Sequence, residues 1–269
     1  MIRPNGVEKQ VRPIWPSERP DITDFSVTYN TTAGTSSTHA LCCSDDGKNL
    51  YMIDANWPIY QYELSDGTLN TLWSSSYSLS GVKSRWACIK SDWETLYSCL
   101  DGSPYSYTVQ MSTPFEIDTG TTTTQSIPYN TAPCGCEFSS DWVYFYCVYW
   151  YGENELYQYT LSTPRDLTTA TLTRSQNLSD YNSDGYLYDV RFSPTGLKMY
   201  VGNRPNNMGK IRQYNLSTAW DISTSTYFWA IDLSSYVYWT GNTFDFANNG
   251  KRIFVHAVAD TRILQLDAS

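Results

Sequence analysis

The fold is decided by the stretch LYDVRFSPTGLKMYVGN (residues 187–203), which continues after a short gap as KIRQYNLSTAWDISTSTYFWAIDL (residues 210–233). In the first segment two apolar runs flank the polar turn SPTG, a pattern that predicts a β-hairpin. In the second segment the strand-like IRQY is followed by STAWDIST and then by an aromatic-rich run typical of a β-strand. The stretch therefore predicts four consecutive strands and almost no helix.

The same pattern occurs five times along the chain. The other hairpins are LCCSDDGKNLYMID at 41–54, WACIKSDWETLYSCL at 86–100, CGCEFSSDWVYFYCVYW at 134–150 and FDFANNGKRIFVHA at 244–257. The aromatic residue after each turn recurs at intervals of 46, 49, 54 and 54 residues, at Tyr51, Tyr97, Tyr146, Tyr200 and Phe254. A period of roughly 50 residues with four strands is that of one propeller blade. The sequence therefore predicts an all-β, five-bladed β-propeller.

The two ends of the chain are predicted to complete one blade together. The fifth copy stops at QLDAS (265–269), and SERPDITDFSVTY (17–29) carries the segment that it lacks. We expect the N-terminal strand to pair with the C-terminal blade, because this pairing removes an open sheet edge. The predicted domains are an extended arm, 1–16, and a propeller, 17–269, with blade cores near 40–80, 85–130, 133–178, 187–233 and 242–269 plus 17–30.

Composition and charge exclude several classes of protein. The chain has 269 residues, of which 41% are hydrophobic, 17% charged and 16% aromatic, and this excludes a disordered chain. No apolar run is long enough for a membrane span, and the N-terminus lacks the apolar core of a signal peptide. We therefore expect a soluble protein that has no export signal and no membrane partner. The net charge of −9 argues against nucleic acid as a ligand.

The cysteines predict neither disulfides nor a metal site. All seven lie in the first 150 residues, mostly in apolar strand-like runs: Cys42, Cys43, Cys88, Cys99, Cys134, Cys136 and Cys147. Buried free thiols fit this odd number better than a disulfide framework does. Structural zinc sites need paired Cys-x(2–4)-Cys motifs or histidines, and the chain has only two histidines. We predict no metal and no cofactor.

Residues 192–202 and 210–224 resemble short propeller repeats of the form FSPDGxKMYVxG…IYQYDLSTAWDIST. Such repeats are frequent in structural proteins of tailed bacteriophages and other marine viruses, and the resemblance covers residues 17–269. It implies a β-propeller that is a component of a virion and is made in the host cytoplasm. It brings no set of catalytic residues that could be transferred to this chain.

Charged residues are predicted to meet at the propeller axis. Equivalent positions on the first strand of each copy are aligned as Cys42, Cys88, Glu137, Arg191 and Asp245, and the intervening face carries Cys43, Ile89, Phe138, Phe192 and Phe246. Arg191 is therefore placed between Glu137 and Asp245 of the neighbouring blades. Five-bladed glycosidases use carboxylates near such an axis as acid and base. A buried arginine that compensates both acids is the other interpretation, and we favour it because it leaves no protonated donor. We therefore predict no catalytic residue.

Aromatic residues cluster in the loops between the second and third strands. They are Trp57, Tyr105, Trp150 and Tyr151 in three of the copies. Exposed aromatic side chains suit stacking against sugars, so these four are candidate glycan-binding residues. Packing against neighbouring loops or against other subunits is the alternative.

The arm is the candidate partner-binding segment. It carries a charge of +2 against −11 for the rest of the chain, and its candidate contact residues are Arg3, Lys9, Arg12, Ile14 and Trp15. We expect the arm to lie against a different polypeptide, with docking onto its own propeller as the alternative. The leading hypothesis is a non-enzymatic structural protein of the phage head, neck, tail or fibre that binds other virion proteins. A receptor- or glycan-binding adhesin is the second hypothesis and a glycoside hydrolase the third.

Overall fold

The computed structural model shows a ring of five sheets. It describes residues 19, 21, 23, 25–32, 38–44, 48–54, 58–65, 68–78, 87–91, 94–100, 105–126, 133–149, 154–178, 186–204, 209–236, 242–247, 250–257 and 262–269. Within these residues there are twenty strands. Short 3₁₀ turns lie at Ile117–Thr119, Leu167–Thr169 and Ile222–Thr224. The predicted all-β, five-bladed propeller is confirmed.

Four of the blades are formed by consecutive strands. Blade one consists of β2 (Thr38–Cys43), β3 (Asn49–Asp54), β4 (Pro58–Ser65) and β5 (Thr68–Ser78). Blade two consists of β6 (Ala87–Ser91), β7 (Thr95–Leu100), β8 (Tyr105–Met111) and β9 (Gly120–Ser126). Blade three consists of β10 (Pro133–Phe138), β11 (Tyr144–Tyr149), β12 (Glu155–Leu161) and β13 (Ala170–Asn177), and blade four of β14 (Tyr186–Phe192), β15 (Lys198–Arg204), β16 (Lys210–Leu216) and β17 (Ser225–Asp232).

Blade five combines the two ends of the chain. It consists of β18 (Asn242–Ala247), β19 (Arg252–Ala257), β20 (Arg262–Ala268) and the outer strand β1 (Phe25–Thr32). The strand β1 runs antiparallel to β20, with Phe25 opposite Ala268 and Val27 opposite Leu266. Residues separated by almost the whole chain length therefore share one sheet.

The first strands of the blades surround the axis. Each of β2, β6, β10, β14 and β18 contacts the first strand of both neighbouring blades. The apolar core lies between the blades: Tyr146 and Val148 of blade three pack with Val190 and Met199 of blade four. Because strand side chains alternate between two faces, each blade buries both faces against its neighbours.

The same β-bulge occurs in four of the blades, next to a glutamine on the third strand. The register shifts beside Gln61, Gln158, Gln213 and Gln265. Blade two has Thr108 at this position, and β8 pairs with β9 without a shift. A bulge places one extra residue in the outer strand and increases its twist. In blade four this extra residue is Phe228, because Tyr214 pairs with Tyr227 and Gln213 with Trp229.

The structure corrects the alignment of the second copy. Lys90 pairs with Tyr97, just as Arg191 pairs with Tyr200, so Lys90 and not Cys88 holds the register position of Arg191. Likewise Ser91, not Ile89, holds the position of Phe192. The reason is the hairpin of blade two, which is two residues shorter than the hairpin of blade four.

Candidate functional site

Arg191 lies at the centre of the ring and contacts three carboxylates. Its Nη1 atom is 2.6 Å from Asp189 Oδ1, and its Nε atom is 3.3 Å from Asp245 Oδ1 and 3.8 Å from Glu137 Oε2. The exposed fraction of these four side chains is between 1% and 4%. The structure therefore brings the three residues of the predicted axis cluster together and adds Asp189, which the sequence analysis did not single out.

Arg191 also donates to the main chain of three blades. Its Nη1 atom donates to the carbonyl oxygens of Cys136 and Val190, at 3.0 and 2.7 Å, and Nη2 donates to Leu41 O at 3.1 Å. Together with the ion pair to Asp245, these contacts connect blades one, three, four and five through one side chain. A planar guanidinium with five N–H donors suits such a junction.

The carboxylates are held by further hydrogen bonds. Asp189 Oδ2 accepts from the Thr243 hydroxyl and from the Phe244 N–H, both at 3.0 Å, and so links blade four to blade five. Asp245 Oδ2 accepts from Cys43 N–H at 2.8 Å and so links blade five to blade one. These bonds fix the acids in orientations that serve the neighbouring strands.

Gly135 makes room for Asp189. A Cβ atom at residue 135 would lie 2.5 Å from the Cα atom of Asp189, too close for any other residue without a backbone shift. The Gly in the sequence Cys134-Gly135-Cys136 is therefore explained by the close approach of blades three and four. This Gly and the Asp-x-Arg spacing of residues 189 and 191 are the sequence signals from which Asp189 could have been found.

Burial and charge act against each other on the pKa values of the cluster. Burial lowers the pKa of Arg191, but the charges of Asp189, Asp245 and Glu137 outweigh this effect and raise it above its ordinary value. Burial raises the pKa of Asp189 to about 6, although the Arg191 charge and the hydrogen bonds from Phe244 and Thr243 act in the opposite direction. The arginine therefore stays charged.

A second set of contacts fastens neighbouring blades at a larger radius. The Tyr51 hydroxyl donates to Phe115 O at 3.0 Å, and the Tyr146 hydroxyl donates to Trp220 O at 2.6 Å. Beside each, a glutamine Oε1 accepts a backbone N–H of the next blade: Gln61 from Ile117 at 3.0 Å and Gln158 from Ile222 at 3.3 Å. The Tyr and Gln of blades one and three therefore bind the 3₁₀ turn of the next blade.

The N-terminal segment takes the place of this turn between blades four and five. Gln213 donates to Asp21 Oδ1 at 2.9 Å, and Lys198 Nζ lies 3.0 Å from the same carboxylate. Lys198 also donates to Arg19 O at 2.7 Å. The buried Arg19 guanidinium lies 4.0 Å from the centre of the Phe246 ring. These residues hold the N-terminal segment at the boundary of the two blades.

The boundary between blades five and one is different. Phe254 holds the position of the tyrosine and has no hydroxyl group. Blade one has a tight hairpin between β4 and β5, in which Leu64 pairs with Leu69, where other blades have the longer segment with the 3₁₀ turn. In the described part of the chain, Gln265 Oε1 is buried and accepts no hydrogen bond. Among the described residues, this boundary has neither of the Tyr and Gln bonds found between blades one and two and between blades three and four.

The described cysteines are buried free thiols: Cys42, Cys43, Cys134, Cys136 and Cys147. Burial raises the pKa of Cys43 well above its ordinary value. Among the residues that the structure describes, no group of three His, Cys, Asp or Glu side chains is arranged to hold a metal ion. No described helix is long and apolar enough to cross a bilayer.

Several predicted site residues cannot be placed. The arm residues Arg3, Lys9, Arg12, Ile14 and Trp15, and the loop residues Trp57, Trp150 and Tyr151, lie outside the described residues. Tyr105 begins β8, but its side chain is also outside the description. The interpretations of these residues stay predictions.

The exposed aromatic residues that the structure does describe lie elsewhere. Tyr227, Phe228 and Trp229 are consecutive residues of β17 and are 46%, 40% and 55% exposed. The sequence analysis assigned this run to a strand but did not recognise it as a surface. Its position as the outermost strand of blade four explains the exposure.

The chain was compared with protein families, curated proteins and solved structures. No family model and no curated protein matches the chain. Among solved structures, the β-propeller domain of Cps50 (Swd1) from Myceliophteria thermophila is similar, with a TM-score of 0.49 and 9% identity over 86% of this chain and 83% of that chain. The β-propeller fold of this chain is shown by its own five four-stranded sheets.

Proposed function

We propose that this chain is a non-enzymatic structural protein of a viral particle, in which the propeller is a rigid platform for contacts with other virion proteins. The ion pairs of Arg191 are the observation that supports a non-enzymatic role. Its three carboxylate partners are buried and hydrogen bonded to the main chain or to Thr243. Such acids serve the packing of the blades and are closed to a substrate.

The virion part of the proposal rests on the sequence of the repeats. Residues 192–202 and 210–224 resemble repeats of phage and marine-virus structural proteins, and the fold is compatible with a protein–protein role. The proposed role needs no cofactor, nucleic acid or membrane. In this proposal, the protein is made in the host cytoplasm and carried in the virion.

The test of the virion role uses the arm. A chain that begins at Ser17 retains Arg19 and Asp21, which contact blade four, so it is expected to fold. If the arm binds a different virion polypeptide, this shortened chain will not enter particles, whereas the full chain will. Quantitative mass spectrometry of purified particles measures both. Normal occupancy without the arm would contradict the anchoring role and place the contact on the propeller itself.

The enzymatic alternative has its own test. A glycoside hydrolase would lose turnover in Glu137→Gln while keeping its fold, because one acid must donate or accept a proton. Screening the full chain against a panel of polysaccharides, with Glu137→Gln as control, is expected to give no turnover in either protein. Turnover in the natural chain that is lost in the variant would overturn the non-enzymatic assignment.

A glycan-binding adhesin is the second candidate function. It is favoured by three aromatic residues of the predicted loops, Trp57, Trp150 and Tyr151, and by Tyr105 at the start of β8. A glycan array with the natural chain and Trp57→Ala tests it. Binding that is lost in the variant supports an adhesin, because sugar stacking depends on the aromatic ring.

A further inference from the structure

The outer edge of blade four is apolar. In the sheet of blade four, β17 pairs with β16 on one side and with no other described strand on its outer side. Tyr227 and Trp229 are about half exposed, and Phe228 is 40% exposed. An exposed strand edge carries unpaired N–H and C=O groups that can pair with another segment of polypeptide. Exposed aromatic side chains at such an edge indicate a binding site for that segment. Residues 227–229 of β17 together form this surface, the aromatic edge.

The side chains at the bulge make the aromatic edge unlike the equivalent outer strand of blade three, which carries the same bulge. There the same three positions are Leu172, Thr173 and Arg174, and Arg174 forms an ion pair with Asp221 of the next blade at 3.0 Å. In blade four the position of Arg174 is taken by Trp229. An apolar ring therefore replaces a cation at the boundary with the next blade.

The N-terminal segment reaches the propeller at this same boundary. Asp221 of blade four has its counterpart in Asp21, which is held by Gln213, and Gln213 lies directly opposite Trp229 in the β16–β17 ladder. Asp21 is therefore bound to β16, the strand next to the aromatic edge, and neighbouring strands are about 5 Å apart.

The residues that precede Arg19 have the composition to cover this edge. Trp15 is four residues before Arg19, a distance of about 14 Å when fully extended. Pro13 and Pro16 favour an extended backbone around Ile14 and Trp15, and 7–12 contains neither Pro nor Gly. The positive charge of residues 1–16 also opposes the charge of the rest of the chain.

We propose that, in the isolated chain, residues 7–16 lie along the aromatic edge of β17, with Ile14 and Trp15 packed against Tyr227 and Trp229. The short tether gives the arm a local concentration in the millimolar range, which favours the arm of the same chain over that of a second copy. This inference goes beyond the proposed function, because it concerns the chain before any particle forms. Particle assembly would transfer the arm from β17 to its partner.

The experiment measures protection of the arm in the purified full chain. Residues 7–12 are followed by amide hydrogen exchange, and the arm is also probed by tryptic cleavage after Lys9. In the double variant Tyr227→Ser, Trp229→Ser, we expect exchange and cleavage to be about tenfold faster than in the natural chain. The control is Leu172→Ser on β13, which removes a similarly exposed apolar side chain and is expected to leave the arm protected.

Two results would overturn the proposal. Equal rates in the natural chain and the double variant, both folded by circular dichroism, would show that the arm does not lie on β17. Protection that disappears on dilution, together with a dimer in sedimentation, would assign the edge to a second copy. Hydrogen exchange and cleavage are measured on the isolated chain, and incorporation is measured in particles. A negative result for the arm on β17 can therefore be told apart from a negative result for the virion role.

Discussion

Tyr146 donates its hydroxyl hydrogen to the main-chain oxygen of Trp220 over 2.6 Å, although 74 residues separate them. The bond joins the second strand of blade three to the turn of blade four. An equivalent bond joins Tyr51 to Phe115 in blades one and two. The tyrosines of blades one and three are thus contacts between blades as well as core residues, and a Phe substitution removes the hydroxyl alone.

Replacing Tyr146 by Phe is expected to lower the free energy of unfolding by about 1 kcal/mol, because the Trp220 carbonyl loses its donor while the ring stays in place. Urea denaturation measures the change. Tyr144→Phe is the matched control, since Tyr144 is half-buried in the same cluster and makes no such bond in the described structure. Equal effects of the two substitutions would contradict the assigned role.

Replacing Arg191 by Met is expected to destabilise the fold by about 3–5 kcal/mol, since Glu137, Asp189 and Asp245 would be left buried without their cation. Arg174→Met is the control: its ion pair with Asp221 is at the surface and is expected to contribute at most about 1 kcal/mol. Chemical denaturation at neutral pH measures both. A small loss for Arg191→Met would mean that water or another cation reaches the acids.

The raised pKa of Asp189 predicts a specific pH dependence. A carboxyl whose pKa is higher in the folded than in the unfolded state binds its proton more tightly when folded. Its contribution is therefore fully present below about pH 4 and is lost as the pH rises to about 6. The free energy of unfolding of the natural chain should fall through this window relative to Asp189→Asn. Parallel pH profiles for the two proteins would show that Asp189 does not titrate there.

Two truncations test the role of the N-terminal strand. Deleting residues 1–30 removes Asp21 and most of β1, which exposes the edge of β20 and is expected to cause aggregation or a large fall in melting temperature. Deleting residues 1–16 leaves these contacts and should change the melting temperature little. If both shortened chains melt like the full chain, β1 does not close the ring in solution.

The sequence predicts the fold well because each repeat carries its own strand and turn signals. The hairpin residues, the IxQY-type third strand and the STxxDI segment recur together, and the period gives the number of blades. The placing of Arg191 beside Glu137 and Asp245 follows from aligning the hairpins. That alignment fails in blade two, because a hairpin two residues shorter shifts Lys90 into the position given to Cys88.

Other features depend on contacts between distant residues. Asp189 looks like any polar residue of an alternating strand, and its hydrogen-bond partners Thr243 and Phe244 lie 54 and 55 residues further along. Tyr227, Phe228 and Trp229 resemble core residues in sequence, since aromatic runs are usually buried in strands. Only their place on the outermost strand makes them a surface.

Among the described residues, the boundary between blades five and one has neither of the Tyr and Gln hydrogen bonds that join blades one and two at the rim. The inner strands are joined there by the hydrogen bond from Cys43 to Asp245, but the rim has Phe254 and the unbonded Gln265 Oε1. On heating or under force, we therefore expect these two blades to separate at the rim before they separate at the axis. A partner that spans blades five and one would therefore add contacts at the rim, where the described residues supply neither the Tyr nor the Gln bond.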